Sequence, residues 1–563
     1  MGKESYDVLI ANGRVVDGCG NPWFAADVAI SDGKIQNVGK LEGCNAEKMI
    51  DADGLVVCPG FIDIHTHSDL QLLVNPTAES HVCQGITTDV IGNCGISLAP
   101  TSKFYKERTE PLLKMFHESW RWNSLADFLK LMEKQRTSVN VAALVGQSAV
   151  RAAAMGTRNA TPTRKELSQM KQLVSEAMEQ GAFGLSTGLF YAPGAYASTN
   201  EIAALAETAA ENGGIYCTHM RSEGDDLLES VREALKIGEK AGIPVQISHY
   251  KCTGPQNWGK IRVGFKMMEE ARRKGVDVTC DAYPWTAGVT PLIDYLPHWA
   301  QEGGIEKIAE RLNDPKTRAK IVADMAEGVP GEESLVKELG WGRIMISTCP
   351  SHRDYEGKTV QEIVEVTGKD PYDLIFELLL RDKSEVIAIE FWGSEEDVEE
   401  VLKNPLTMIS SDSAAITPEG PMGAGKPHPR YYGNIPKLFS DYVREKGTLT
   451  LEEAVRKATS FPARRLGLSG RGEVREGMWA DVVVFDPDTI APVGVFGDPH
   501  HYPKGIEWVL VNGAVTVEKG RHTGARAGMV LRKAHCKHRE KASGGALKEA
   551  NGDDPGWKDP AAT

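Results

Sequence analysis

Apolar and polar residues alternate with two different periods along this chain. Residues 6–58 contain short alternating runs such as "DVLIANGRVVDG" and "DVAISDGKIQNVG", separated by Asn-Gly and Asp-Gly pairs that are typical of hairpin turns. Residues 472–519 show the same pattern of short β-prone runs and turn pairs, for example in "WVLVNGAVTVEKG". We therefore predict a small β-sandwich domain that is built from both ends of the chain, residues 1–58 and 471–533.

The central segment, residues 59–470, has a different pattern. Apolar runs that end in polar residues are each followed by a helix-period segment, such as "DLLESVREALKIGEKAG", in which Leu227, Val231 and Leu235 share one face. Repeated strand and helix units are typical of a parallel α/β fold, and eight candidate strands predict a (β/α)8 TIM-type barrel. The candidate strands are "PGFIDIHTH", "TTDVIGNCG", "VAALVGQ", "AFGLSTG", "IYCTHMR", "VQISHYK", "DVTCDAYP" and "TMISSDS".

Two further segments do not fit the repeat. Residues 290–405 are too many for one crossover and contain their own helical and apolar runs, including "VIAIEFW". We predict that they form an insertion over the mouth of the barrel, before its last strand. Residues 534–563 are polar, rich in Gly and Pro and aperiodic, which predicts a disordered tail.

Composition excludes several classes of protein. The 563 residues are 41% hydrophobic and 25% charged, and no apolar run reaches the roughly 18 residues of a membrane span. The formal charge of −14, without a basic tract in the folded region, argues against a nucleic-acid partner. Ten cysteines without CxxC pairs and the lack of an apolar N-terminal signal predict a reducing, cytoplasmic location. The sequence is compatible with either a monomer or an oligomer.

Residues at the ends of the candidate strands have the chemistry of metal ligands. His65 and His67, two apart in "HTHSD", would point to the same side of a strand. Each such residue alone has an ordinary structural explanation, as a core histidine, a buried thiol or a turn aspartate. Barrel enzymes carry their chemistry at the carboxyl ends of the strands, where thiolate, imidazole and carboxylate together suit zinc. The set of candidate ligands is His65, His67, Cys94, His219, His249 and Asp412.

The order of these ligands, with a β domain split between the ends of the chain, resembles the amidohydrolase superfamily. The motifs "GLSTGLFYAPGAYAST", "CTHMRSEGD", "QISHYKC", "DAYPWTAG" and "HPRYYG" are similar to those of N-acyl-D-amino-acid deacylases, the D-aminoacylases, over residues 6–533. Many members of the superfamily bridge two metals with a carboxylated lysine on strand four, but "GAFGLSTG" contains none. Gln147 stands where family members often have a histidine, which puts one contact on strand three in doubt.

The resemblance implies a tight zinc ion on Cys94, His219 and His249. It also implies a second metal site, weaker or vacant, on His65, His67 and Asp412. In such a site Asp412 would act as general base and then as general acid, moving a proton from the attacking water to the leaving amine.

Four residues are candidates for binding the substrate. Arg221 and Lys251 each lie two positions after a candidate histidine ligand, so strand alternation would direct both cations toward the same mouth. Tyr283 ends strand seven, and Tyr191 lies in the loop after strand four. The resemblance implies that Lys251, Tyr283 and Tyr191 hold the substrate carboxylate or carbonyl. A solvated charge or a packing tyrosine is the alternative for each.

The predicted function is zinc-dependent hydrolysis of the amide bond of small-molecule N-acyl-D-amino acids. Alternatives are the same chemistry on a cyclic, dipeptide-like or xenobiotic amide, and a non-catalytic scaffold, although none of the ligand residues is missing. A serine nucleophile is disfavoured because the chain has no convincing GxSxG elbow. The loop "GPMGAGKPHPRYYG", with Lys426, His428 and Arg430, either closes over the substrate or is an ordinary surface loop.

Overall fold

The computed structural model describes residues 5–534, so all but the first position of the predicted tail, residues 534–563, lies outside the described residues. The strands are β1 (Ser5–Val15), β2 (Phe24–Ser31), β3 (Lys34–Gly39), β4 (Asn45–Asp51), β5 (Val56–Pro59), β6 (Phe61–Asp63), β7 (Ile86–Ile91), β8 (Asn140–Ala143), β9 (Val145–Gly146), β10 (Gly184–Gly188), β11 (Ile215–His219), β12 (Val245–Ile247), β13 (Val278–Ala282), β14 (Gly288–Pro291), β15 (Ile344–Thr348), β16 (Ile387–Glu390), β17 (Thr407–Ile409), β18 (Val482–Phe485), β19 (Ile506–Val511), β20 (Ala514–Glu518) and β21 (Arg521–His522).

Helices follow most of the central strands. Several begin with a side-chain N-cap; Ser124 and Thr163, for example, each form a capping box with an acidic residue three positions later. The α-helices are α1 (Gln71–Val74), α2 (Glu79–Val82), α3 (Lys103–Met115), α4 (Leu125–Gln135), α5 (Gln147–Met155), α6 (Arg164–Glu179), α7 (Thr199–Glu211), α8 (Leu227–Ala241), α9 (Ile261–Arg273), α10 (His298–Gln301), α11 (Ile305–Asn313), α12 (Pro315–Glu327), α13 (Leu335–Leu339), α14 (Val360–Thr367), α15 (Pro371–Asp382), α16 (Glu395–Lys403), α17 (Arg430–Lys437), α18 (Leu451–Ala458) and α19 (Ser460–Leu466).

Strands from both ends of the chain join one nine-stranded sheet. Its order is β21-β20-β19-β18-β5-β1-β2-β3, with β4 also paired to β1. The antiparallel pair of β5 and β18 connects the two ends, with Cys58 opposite Val483. The hydrogen bonds between these strands define a single sheet. The two-layer β-sandwich expected for the two chain ends therefore stays a prediction.

The Gly-containing pairs form different turns. Asp32-Gly33 and Asn512-Gly513 have positive φ at both positions and connect the hairpins β2–β3 and β19–β20, as such pairs favour. Asn12-Gly13 was expected to form a hairpin too, but β1 continues through it with a shift in register. That expectation was wrong because a single left-handed residue at Asn12 is accommodated as a bulge while β2 pairs with both halves of β1.

Parallel strands form the centre of the molecule, which confirms the predicted α/β class. One sheet has the order β6-β7-β8 and the other the order β17-β13-β12-β11-β10-β9. Their strands are buried on both faces, as in β12, where Val245 and Ile247 on one face and Gln246 on the other are all inaccessible. An isolated parallel bridge joins Thr66, after β6, to Ser413, after β17.

The segment between β13 and β17 has its own antiparallel sheet, β14-β16-β15, and helices α10 to α16. The run "VIAIEFW" provides β16. None of the helices in residues 5–534 is both long enough and apolar enough to span a membrane.

Candidate active site

The six candidate ligands lie at or just after the ends of the parallel strands. His219 is the last residue of β11, and His249 follows the end of β12 by two positions. β6 ends at Asp63, so His65 and His67 are outside the strand that was expected to contain them. Their imidazoles nevertheless lie close together, with ring centroids 5.4 Å apart. Backbone hydrogen bonds from Thr66 to Val90 and from His67 to Ser413 hold this loop.

Cys94 lies at the centre of a group of imidazole nitrogens. Its Sγ is 3.2 Å from Nε2 of His65, 3.5 Å from Nε2 of His249 and 3.9 Å from Nδ1 of His219. Sulfur and nitrogen ligands of one tetrahedral zinc ion are about 3.6 Å apart, given the usual Zn–S and Zn–N bond lengths. The donor types and their spacing therefore fit a zinc ion.

Asp412 lies beside this group. Its Oδ1 is 3.2 Å from Nε2 of His67 and 3.6 Å from Nε2 of His65. His65 thus belongs to two potential ligand groups, one with Cys94 and His249 and one with His67 and Asp412. A third group combines His219 and His249 with Glu223.

Burial controls the protonation of these groups. It lowers the pKa of the His65, His219 and His249 imidazoles well below the usual value, so the neutral, metal-binding form is favoured. Burial, with the charge of Asp412, raises the pKa of the Cys94 thiol well above its usual value. Burial also opposes ionisation of Asp412, but Arg430 and the histidines outweigh it, and the pKa of Asp412 lies well below its ordinary value.

Three of the candidate ligands have left-handed backbone conformations. Cys94, His249 and Asp412 have φ values of 50°, 35° and 50°. Such conformations typically cost about 1–3 kcal/mol each and cluster at functional sites, where surrounding contacts impose them. The Asp281 carboxylate imposes one of them, because it accepts hydrogen bonds from the backbone N–H of His249 at 2.9 Å and from the Ser410 hydroxyl at 2.7 Å.

Glu223 is a site residue that the sequence reasoning missed. Its Oε1 is 2.8 Å from Nδ1 of His249, and its Oε2 is 2.6 Å from Nζ of Lys251. A carboxylate on the far nitrogen of a histidine fixes the tautomer and the direction of the ring. Burial would lower the pKa of Lys251, but the charge of Glu223 outweighs it and raises that pKa. The available signal was an acidic residue four positions after His219, within "CTHMRSEGD".

The predicted substrate-binding residues separate into two groups. Lys251, Tyr283 and Tyr191 line the same cavity as the candidate ligands, and the Tyr191 ring centroid is 4.9 Å from that of His219. Arg221 does not line that cavity; it pairs with Glu233 at 3.1 Å and donates to two backbone carbonyls. The expected direction of Arg221 was wrong because β11 ends at His219, after which strand alternation no longer applies.

Arg430, which ends the loop after Asp412 and is the first residue of α17, is buried in the site. Its Nη2 is 3.0 Å from Oδ2 of Asp412, and its guanidinium carbon is 4.5 Å from the centroid of the Tyr283 ring. Among the described residues, Nη1 and Nε of Arg430 and the hydroxyl of Tyr283 are buried without a hydrogen-bond partner. His428 is buried against the carbonyl of Ala287, and the backbone N–H of Lys426 donates to Ser347. This loop therefore packs into the fold.

A buried Ser-His-Asp chain lies beside Asp412. His81 contacts the Ser413 hydroxyl at 3.0 Å through Nε2 and the Asp89 carboxylate at 2.9 Å through Nδ1. All three side chains are inaccessible, so this arrangement cannot reach a substrate and instead supports the loop that carries Asp412. Gln147 is also buried outside the cavity and donates to Glu201 at 3.4 Å.

The cavity has a volume of about 550 Å³. It is bounded by the strand ends, by α3 and by the antiparallel sheet between β13 and β17. Apolar side chains form much of its wall, with ionic groups at the ligand end. Such a mixture is typical of a small-molecule site.

The profile of the amidohydrolase family matches residues 48–517. D-aminoacylase of Alcaligenes xylosoxydans xylosoxydans is 36% identical over 94% of this chain and 98% of its own length. The N-acyl-D-glutamate deacylase of the same organism is 35% identical over 94% of this chain and 97% of its own length. The chain belongs to the N-acyl-D-amino-acid deacylases of the amidohydrolase family. This confirms the predicted resemblance and a metal-dependent amidohydrolase that acts on linear amides.

Solved structures of deacylases have the same fold. A D-aminoacylase with a binuclear metal centre matches with a TM-score of 0.79 at 35% identity, over 94% of this chain and all of that one. The N-acyl-D-glutamate deacylase of Bordetella bronchiseptica, complexed with zinc and a phosphonate inhibitor that mimics the tetrahedral intermediate, matches with a TM-score of 0.78 at 35% identity and the same coverage. The α/β fold and a metal-dependent site are thus shared with this deacylase group.

Proposed function

We propose that this amidohydrolase hydrolyses N-acyl-D-amino acids to a carboxylate and a free D-amino acid, using one tightly bound zinc ion. The observation that carries this proposal is the position of unpartnered donors of Arg430 and Tyr283 in the same cavity as the Cys94 ligand group. Such donors suit a substrate carboxylate close to the scissile amide. The preference for the D-isomer is supported by the deacylases to which the chain is similar.

Cys94, His219 and His249 would hold the tight zinc ion, and His65, His67 and Asp412 would form a weaker second site. Zinc bound there supplies an activated water and polarises the carbonyl of the substrate. Glu223 keeps the His249 ring in its binding orientation through the 2.8 Å contact with Nδ1.

Asp412 would move the proton. Its Oδ2 is held by Arg430, and its Oδ1 faces Nε2 of His65 and His67. Oδ1 would accept a proton from the attacking water and deliver it to the amide nitrogen. The carbonyl carbon gains the water oxygen, the C–N bond breaks, and the nitrogen leaves as an amine. Arg430 and the histidines hold the pKa of Asp412 well below its ordinary value despite its burial, so the carboxylate is ionised at neutral pH.

Arg430, Lys251 and Tyr283 would anchor the α-carboxylate, and Tyr191 would contact the reacting carbonyl. Arg430 offers Nη1 and Nε, while its Nη2 stays paired with Asp412. Lys251 supplies positive charge although it is already paired with Glu223. Arg221 is left out of the proposed site because its donors are used elsewhere.

We further infer that the two parallel sheets form one (β/α)8 barrel. Leu144 alone separates β8 in one sheet from β9 in the other, and the Thr66–Ser413 bridge lies where the first and last strands would meet. The predicted domains, residues 1–58 with 471–533 and residues 59–470 with an insertion at about 290–405, agree with this arrangement. A cytoplasmic location stays a prediction.

The test is a panel of paired N-acetyl D- and L-amino acids, assayed for free amine with zinc measured on the same preparation. We expect about one zinc ion per chain and D-isomers that react at least about 10²-fold faster than L-isomers, since a misplaced carbonyl loses that much rate. Equal rates on the two isomers, or no cleavage with zinc bound, would contradict the proposal. Either result would favour a substrate from another class of amide, such as a cyclic, dipeptide-like or xenobiotic amide.

A further inference from the structure

Carboxylates outnumber cations on the wall of the cavity. Two of the cations, Lys251 and Arg430, are already paired with Glu223 and Asp412. The third cation, Arg108, is half-buried on α3. The carboxylates that line the cavity are Asp69, Glu223, Asp294, Glu333, Glu390 and Asp412.

Asp294 differs from the other five. It lies in the 3₁₀ turn Leu292–Tyr295 after β14 and is 8% exposed. Within the described part of the chain, its carboxylate has neither a hydrogen bond nor an ion pair within 4.0 Å. The remaining cavity carboxylates have partners: Asp69 accepts from the Gly92 N–H at 3.2 Å, Glu390 from the Tyr295 hydroxyl at 2.7 Å and Glu333 from the Glu223 N–H at 2.7 Å.

Asp294 is thus a largely buried carboxylate that opens to the cavity and has no protein partner, which leaves its oxygens available to a bound ligand. Tyr105 and Tyr191 line the same cavity as Asp294. Burial raises the pKa of both hydroxyls, and the charge of Asp294 adds to this effect. Burial raises the pKa of Asp294 to about 6, while Arg108 and His298 oppose that rise, so the group is mostly ionised above pH 7. An ionised carboxylate without a protein partner in a substrate cavity suits a cation.

We propose that Asp294 binds a cationic group of the substrate, an ammonium or a guanidinium, and so sets the specificity of the deacylase. This inference rests on the proposed function. Two parts of a substrate can carry the cation: the side chain of the D-amino acid, or a free amino group on the acyl half. Leu112 and Leu335 on the same wall would cover the aliphatic stem of such a group.

The first test compares substrates on the zinc-loaded wild-type enzyme. N-acetyl-D-lysine, N-acetyl-D-leucine and N-acetyl-D-glutamate examine the side chain, and glycyl-D-alanine against N-acetyl-D-alanine examines the acyl half. We expect kcat/KM for the cationic member of one series to exceed that of its neutral partner by about 10-fold or more, the typical worth of a charge-assisted hydrogen bond. No preference for the cation in either series would overturn the inference.

The second test changes the carboxylate. Asp294→Asn should reduce the ratio of cationic to neutral kcat/KM by about 10-fold or more, and Asp294→Lys should favour the D-glutamate substrate. Asp69→Asn is the matched control, because Asp69 is a cavity carboxylate with its own backbone partner. We expect this control to keep the wild-type ratio. An unchanged ratio in Asp294→Asn, or an equal loss in Asp69→Asn, would contradict a specific role for Asp294.

The two proposals fail in different ways. If N-acetyl-D-leucine is hydrolysed well but no cationic substrate is preferred, the role of Asp294 is wrong and the deacylase function stands. If no D-substrate is cleaved by enzyme that holds zinc, the deacylase function itself is wrong.

Discussion

At the scale of single residues, the site is a set of strained and buried groups that need a ligand. Cys94 is a thiol with a raised pKa among neutral imidazoles, and its backbone is left-handed. A divalent cation would stabilise the thiolate and offset this cost. The substitutions below test the separate roles of thiol, base and orienting carboxylate.

We expect Cys94→Ala to lose the tight zinc ion, because a thiolate supplies much of the binding energy of a site with few protein ligands. The measurement is zinc content after dialysis against a weak chelator. Cys217→Ala is the control, since Cys217 is a buried thiol two residues before His219 and outside the ligand group. Full zinc retention in Cys94→Ala would show that Cys94 is not a zinc ligand.

We expect Asp412→Asn to keep the tight zinc ion but to lose on the order of 10³-fold in kcat, because an amide cannot accept the proton. Turnover on an N-acetyl-D-amino acid and zinc content are measured together. Turnover within tenfold of wild type would exclude Asp412 as the base.

Glu223→Gln should weaken zinc binding by about 10- to 100-fold, the usual effect of removing a carboxylate that orients a ligand. A zinc titration against a competing chelator measures this change. Glu233→Gln is the matched control, because Glu233 pairs with Arg221 away from the cavity. Equal zinc affinity in the two variants would show that Glu223 has no orienting role.

At the scale of elements, the ligand loops depend on close packing against neighbouring strand ends. Gly188 ends β10 and faces the loop of Cys94, so that a Cβ there would lie 2.2 Å from the Cys94 carbonyl oxygen. Gly146, at the end of β9, is similarly close to the carbonyl of Gly95. The position of Cys94 is therefore imposed by small residues on two other strands.

We expect Gly188→Ala to displace the Cys94 loop, with a loss of about 1–3 kcal/mol in the free energy of unfolding and weaker zinc binding. Gly342→Ala provides the control, because a Cβ at Gly342 meets no atom within 4 Å. Thermal unfolding and a zinc titration are measured on both variants. Wild-type zinc affinity in Gly188→Ala would show that the loop tolerates the contact.

At the scale of the whole molecule, Asp481 connects the sheet of the chain ends to the parallel strands. Its carboxylate accepts hydrogen bonds from Asn140 on β8 at 3.1 Å and from the backbone N–H of Asn512 at 2.8 Å. It also pairs with Arg471, and both partners of this ion pair are buried. The two parts of the chain thus share one buried polar junction.

Asp481→Ala should destabilise the protein by about 3–5 kcal/mol, because it leaves the Arg471 charge buried without its carboxylate partner. Chemical denaturation measures this change, and kcat/KM at 25 °C should stay at the wild-type value. Asp488→Ala, at an exposed position, serves as the control and should change stability by less than about 0.5 kcal/mol. Equal stability of the two variants would mean that the junction contributes little.

Local features of this protein follow from its amino-acid pattern alone. Apolar runs bounded by turns predicted the parallel strands, because a strand buried on both faces needs nearly continuous apolar residues. The types of residue after those strands, above all Cys94 and Asp412, predicted a metal-dependent site. The motifs around them predicted the deacylase family, which the relatives confirm.

Which side chains meet in the site depends on long-range packing, which the amino-acid pattern does not describe. Glu223, in the loop after β11, reaches His249 and Lys251, and Arg430, the first residue of α17, reaches Asp412. No periodic pattern describes the direction of either side chain. For the same reason Arg221 turns away from the cavity, although strand alternation would have directed it inward. Periodicity ends where a strand ends, and beyond that point long-range packing sets the direction of each side chain.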